Sequence, residues 1–195
     1  MPRGRPRKFD EDAVLSAAMQ VFWERGLSAT SIDDLADAMR MNKPSIYNAF
    51  GGKEELYRIC LDRFCRQLDA GLEATLESDL PLQKAFVAFY HAALEVYCDN
   101  EPSLGCLMIC TAPVAAVYHP DIGKDLRDLI GRLDRRVAER LRKAQADGEL
   151  QADIDAKQMA KLLQAVLQTI ALRARAGESK HSLKKFAAFS VATIL

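Results

Sequence analysis

Residues 36–57 read ADAMRMNKPSIYNAFGGKEELY. A helical hydrophobic pattern runs to Met39, breaks over Arg40-Met41-Asn42, restarts with Pro44 and breaks again at Gly51-Gly52. The middle piece is under three turns long and too short to hold itself in water, so neighbours must prop it. Asn42 is a good N-cap, and Pro44 is tolerated because first-turn amides lack intrahelical partners. Ile46 and Phe50, four apart, supply a buried face, which Tyr47 cannot share fully. Lys43, Pro44, Ser45 and Asn48 are left to point outward. A short helix supported from behind, with a polar leading end, is suited to probing something.

Upstream, SATSIDDLADAM (residues 28–39) supplies a second helix. Thr30 or Ser31 is its N-cap, Asp33 and Asp34 occupy its first turn, and Ile32, Leu35, Ala36 and Met39 face inward. Helix, brief turn and short helix within residues 31–50 form a helix-turn-helix, whose second helix lies in the DNA major groove. The chemistry suits that geometry. Asn48 can read adenine, Lys43 can reach guanine acceptors, and Ser45 pairs with either. The Tyr47 hydroxyl can meet a phosphate, and so can Thr30 and Lys53 at the starts of their helices. Two helices packed in a bundle remain the plain alternative.

Further upstream, Asp10 caps a helix with Glu11 and Asp12 in its first turn, Phe9 and Val14 fit a hydrophobic staple, and Gly26 is expected to end the helix as a left-handed cap. Residues 1–9, MPRGRPRKF, are basic and proline-punctuated, which predicts a disordered arm. Lys plus Arg and Asp plus Glu each number 27, so bulk charge points to no partner and the cationic Arg3, Arg5 and Arg7 are a local signal. Of the 195 residues, 49% are hydrophobic and 28% charged, an ordinary globular balance.

No apolar run reaches the roughly 20 residues a membrane span requires. Without the apolar core of an export signal, the five scattered cysteines read as reduced thiols in a cytoplasmic protein. Downstream of Gly52 the periodicity stays helical, predicting an all-α fold of about nine helices. They span 53–76, a segment opened by Pro81, a short or kinked helix carrying Pro113, 121–147, 155–176 and 180–195.

Ala17-Ala18, Phe22, Gly26, Thr30, Ile32, Ala36, Ile46, the Tyr47-x-x-Phe50 pair and Lys53-Glu54-Glu55-Leu56 resemble the DNA-binding domain of the TetR family of bacterial repressors. The resemblance implies a three-helix DNA-binding domain at 10–52 and a ligand-binding and dimerisation domain at 53–195. Two positions depart from the pattern. Arg40 stands where the turn commonly carries Gly, predicting an altered turn or a left-handed Arg. Gly52 stands where a capping Ser or Asn is common, predicting a weaker cap. Arg-Gly-Arg-Pro in the arm resembles AT-hook peptides, which lay arginines along an A·T minor groove; a solubilising tail is the alternative.

The last two helices are strongly apolar on one side, and that surface must be covered. By resemblance Leu162, Val166, Ile170, Phe186 and Phe189 meet the same helices of a second subunit, giving a homodimer matched to a palindromic double-stranded operator. Phe86, Phe89, Tyr90, Tyr97, Cys106, Met108, Cys110, Tyr118 and Gln168 suit the lining of a pocket for an apolar small-molecule inducer with a few polar anchors.

Cys106 sits at a helix start, where the dipole can lower a thiol pKa, and Cys110 follows one turn on. Inert thiols, a sensor of electrophiles or oxidants, and a metal site with His91 or His119 are the three readings. No compact metal-ligand spacing supports the last, so no metal or cofactor is expected. Nor is there a Ser-His-Asp motif or a phosphate loop, so an enzyme, for instance a thiol-dependent one, is the weak alternative. A ligand-free architectural DNA binder is the other. The best-supported reading is a repressor released from its operator by a small molecule or electrophile.

Overall fold

The computed structural model describes residues 10–195, and all regular structure among them is α-helical. The arm, with Arg3, Arg5 and Arg7, and the Phe9 staple lie outside the described residues. Nine helices follow in chain order among the described residues: α1 (Glu11–Ala29), α2 (Ile32–Met39), α3 (Lys43–Phe50), α4 (Lys53–Leu76), α5 (Leu82–Tyr97), α6 (Leu107–Ala116), α7 (Pro120–Ala146), α8 (Ala156–Arg175) and α9 (Lys180–Ile194). They form two compact units that divide between Asp62 and Arg63, inside α4. No described helix is long and apolar enough to cross a membrane.

In the N-terminal unit, short-range chemistry fixes each helix start. The Asp10 carboxylate accepts from the amides of Asp12 and Ala13 at 3.1 and 3.3 Å. At α2 the Ser31 hydroxyl accepts from the Asp34 amide while the Asp34 carboxylate accepts from the Ser31 amide, a reciprocal capping box. Those Ser31 contacts, with Arg25 at 2.8 Å, hold the Asp34 carboxyl down at about 2. Asn42 caps α3 through the Ser45 amide at 2.8 Å.

Gly26 departs from expectation. Its φ is positive, as expected of a glycine there, but at φ 73, ψ 175 it lies outside the left-handed helical basin and breaks the helix instead of capping it, and a last short turn carries α1 on to Ala29. The left-handed Arg is present: Arg40 has φ 52 and ψ 43. The Met41 amide reaches back to the Ala36 carbonyl at 3.0 Å, closing α2.

Leu15, Phe22, Leu35, Ile46, Phe50, Leu56 and Tyr57 are buried, and Phe22 meets Tyr57 edge-on at 5.1 Å. Ile46 is fully buried, and with Phe50 it fastens α3 to its neighbours. Each such side chain contributes on the order of 1.5–3 kcal/mol on burial, enough to hold a helix that has little stability of its own.

In the C-terminal unit α7 packs on α8 and α6, and α5 packs on α9 and α8. Phe86, Phe89 and Tyr90 form a run of edge-on rings at the α5 core, 6.0 and 5.4 Å apart, and the Tyr90 hydroxyl donates to the Leu163 carbonyl at 2.8 Å. Pro113 falls inside α6, which is only 10 residues long.

Candidate nucleic-acid interface

The first candidate surface is the leading end of α3. Lys43, Pro44 and Asn48 are exposed, Ser45 is half-buried, and Tyr47 is 54% exposed. Ile46 and Phe50 point the other way. The Tyr47 ring lies over Gly52, where a Cβ would approach it to 3.4 Å. Gly52 has φ +122, so this turn favours glycine on conformational grounds as well. The Lys43 ammonium lies 2.6 Å from the Asp33 carboxylate on α2, which raises its pKa.

Two expected phosphate contacts are placed elsewhere. Thr30 is buried at 2% exposure, and its hydroxyl donates to the Gly26 carbonyl at 2.7 Å. The Lys53 ammonium donates to the carbonyls of Leu27 at 3.0 Å and Thr30 at 2.9 Å. The cause is shared: the break at Gly26 leaves carbonyls without helical partners, and these side chains satisfy them. Both therefore fasten the end of α1 instead of facing outward. Sequence reasoning took only the backbone of Arg40 into account. Its side chain is exposed beside α3 and, among the described residues, has no ionic partner.

The second feature is a narrow cavity in the C-terminal unit, about 30 Å³, lined by Leu68, Asp69, Leu72, Tyr97, Cys106, Ile109, Leu129, Ile130, Leu133, Gln164, Leu167 and Gln168. That is room for one or two waters. Of the expected lining, Tyr97, Cys106 and Gln168 are there. Phe86, Phe89, Tyr90 and Met108 are packed into the core and do not line it, and Cys110 is half-buried outside it. Tyr118 is 77% exposed just beyond α6 and is not part of the lining. Leu68, Leu72 and Leu133 have the ordinary apolar spacing of amphipathic helices, and no local signal tells lining from core.

The Cys106 thiol is also corrected. It does stand at the start of α6, yet it is buried, and burial pushes it up to about 11; the Ile109 amide offsets this only in part. Desolvation outweighs the helix dipole here. Cys110 is pushed up as well, again by burial, with Arg175 acting against it. Among the described residues no group of three or more His, Cys, Asp and Glu is placed to hold a metal.

On α8 and α9, Leu162 is 49% and Phe189 69% exposed, with Val166 and Phe186 half-buried. Ile170 is fully buried within the chain and drops out of the expected interface. Leu172, which the sequence did not single out, is 53% exposed. At 100° per residue Leu162, Ala165, Thr169 and Leu172 form one stripe along α8.

Residues 14–59 match the profile of the bacterial regulatory proteins of the tetR family, and residues 83–189 match that of the tetracyclin repressor-like C-terminal domain. The HTH-type transcriptional repressor ComR of Escherichia coli K12 is 33% identical over 95% of this chain and 89% of its own length. The transcriptional regulator AcuR of Cereibacter sphaeroides is 27% identical over 89% of this chain and 82% of its own. A cysteine mutant of the TetR family regulator CifR, complexed with 26bp double-strand operator DNA, superposes with a TM-score of 0.89. Its sequence identity is 28%, over 97% of this chain and 98% of that one.

Proposed function

The chain belongs to the tetR family of bacterial regulatory proteins, DNA-binding transcriptional regulators and not enzymes, and from that premise we propose that it is a dimeric repressor released from a palindromic operator by a small inducer. ComR is named a repressor, and the CifR mutant is described as complexed with operator DNA. Both support carrying the activity over. In this reading Lys43, Pro44, Ser45 and Asn48 meet base edges in the major groove, Tyr47 donates to a phosphate, and Arg40 takes a second phosphate beside α3. Arg3, Arg5 and Arg7 follow the adjoining minor groove. The stripe on α8 and the exposed part of α9 join two subunits, so that two copies of α3 meet successive half-sites.

The inducer enters the cavity beside Tyr97, Cys106 and Gln168. Leu68, Asp69 and Leu72 of α4 line that cavity, and Lys53 at the other end of α4 is bound to the end of α1. A ligand that favours a shifted α4 would disfavour DNA, provided it binds that state more tightly. If the inducer is an electrophile, the half-buried Cys110 is met before the buried Cys106.

One observation carries the proposal: an eight-residue helix fixed by Ile46 and Phe50 presents Lys43, Tyr47 and Asn48 exposed at its free face. The test is a duplex selected by the full chain from a randomised pool, with binding followed by fluorescence anisotropy. Asn48→Ala is expected to weaken binding by about 10–100-fold, since one good base contact is worth roughly 1–3 kcal/mol, with the thermal melt unchanged. Equal affinity for the selected duplex in wild type and variant would count against α3 as the reading element.

A further inference from the structure

Residues 10–62 hold ten carboxylates against five cationic side chains, a formal net charge of −5. For a helix-turn-helix body that is the wrong sign, offset only by the four cations of the arm, and the partners of the five cations make it more pronounced. Arg25 is paired with Asp34, Lys43 with Asp33 and Arg58 with Glu55, and Lys53 is spent on two carbonyls. Only Arg40, among the described residues of this unit, lacks such a partner. Non-specific binding runs on free cations that displace counterions from phosphates, and apart from Arg3, Arg5, Arg7 and Lys8 of the arm this unit offers few.

Asp33 stands out among the carboxylates. The α2 cap is complete without it, because Ser31 and Asp34 form the capping box and Arg25 satisfies Asp34. Asp33 is free to reach across the turn, and its carboxylate meets the one lysine on α3 at 2.6 Å. The two side chains are 67% and 49% exposed, so the pair opens and closes in solvent and contributes little to the fold.

We propose that Asp33 is a specificity-determining residue of the DNA-binding surface, holding Lys43 so that binding to arbitrary duplex is suppressed more than binding to the operator. The proposal rests on the reading that α3 enters the groove. A phosphate offers Lys43 no more than Asp33 already does, and a complex made through phosphates alone leaves the Asp33 carboxylate facing a polyanion. A base edge is different. The ammonium has three donors, so it can keep Asp33 on one and present another to guanine O6 or N7. A carboxylate that loses Lys43 can still accept from a cytosine amino group in the right register. Either way only a matching sequence compensates for the acid.

The test measures affinity of the full chain for a duplex selected by wild type and for a scrambled duplex of the same composition, across a salt series. Asp33→Asn is expected to tighten the scrambled duplex by about tenfold and the selected one by about threefold or less. It should also steepen the salt dependence by about one counterion. Asp33→Glu, which keeps the charge, is expected to retain wild-type discrimination. In a Lys43→Gln background the Asp33→Asn change should lose the part that comes from releasing Lys43, the extra counterion in the salt slope, and keep only the part due to the carboxylate facing the duplex. Equal factors on both duplexes, or no change on either, would overturn the proposal. A wild-type chain that shows no preference for any duplex after selection would instead defeat the reading of α3, and a circular-dichroism melt separates either result from misfolding.

Discussion

Gly105 sits at φ +68, and a Cβ built there would run into the Ala171 carbonyl oxygen of α8 and lie 3.0 Å from the Cys110 sulfur. Both the backbone conformation and the space require glycine. Gly105→Ala is expected to destabilise the protein by about 2 kcal/mol or more, read as a shift in the urea midpoint at unchanged slope. Beside it, Cys106 carries a pH signature. Its thiol rises from 9.0 to about 11 on folding, so the folded state favours the neutral form. The corresponding stability is fully present below pH 9 and is lost as pH rises towards 11. Melting temperatures of wild type should therefore fall more steeply between pH 9 and 11 than those of Cys106→Ala; parallel curves would contradict the burial argument. The position of Cys106 at a helix start was legible from Gly105 and the apolar run after it. Its burial was not, because distant segments such as α8 create it. Thr30 and Lys53 failed as outward contacts for a related reason: a broken helix end behind them had carbonyls to satisfy, and no pattern in the residues themselves announces that.

Helix limits were the most readable part of this chain, because caps and breaks are chemistry between near neighbours. Asp10, Ser31, Asn42 and Asp155 all cap through their own side chains, and α4 spans the residues its periodicity marks. The family resemblance, not local chemistry, singled out Arg40, for an altered turn or a left-handed Arg, and the backbone takes the second course. Left-handed backbone costs an L-residue about 1–2 kcal/mol, partly returned because glycine loses more freedom on folding. Arg40→Gly should then stabilise the protein by about 0.5–1 kcal/mol while weakening operator binding, since the phosphate contact proposed for Arg40 would go with the side chain. Opposite signs in a thermal melt and a binding titration are the expected pair of results; a loss in both would point to a structural role for the guanidinium. Sequence alone could not sort the apolar residues of α5 and α6 into lining and core. Phe86, Phe89 and Tyr90 share their pattern with true lining residues and differ only in what packs against them.

For the whole molecule, the exposed apolar residues of α8 and α9 bear on assembly. An apolar helix such as α8 has more than one greasy side, and spacing does not say which one the chain keeps for itself. Ile170 went inward while Leu162 and Leu172 stayed out, with Phe189 exposed on α9. If the proposed dimer forms through this surface, a double change, Leu162→Glu with Phe189→Glu, is expected to give a monomer in analytical ultracentrifugation and to weaken operator binding by at least about 100-fold, with helicity retained. A variant that sediments like wild type would move the subunit contact elsewhere. The cavity has a consequence of a different kind. With room for one or two waters, it would admit the proposed inducer only after its walls had parted, so uptake would wait on a spontaneous opening of the protein. Observed association rates should then level off as inducer concentration climbs, and the apparent dissociation constant should carry a factor for the scarcity of the open form. Substitutions that loosen the packing around Leu72 or Leu133 should make the regulator respond sooner without a single new contact to the compound.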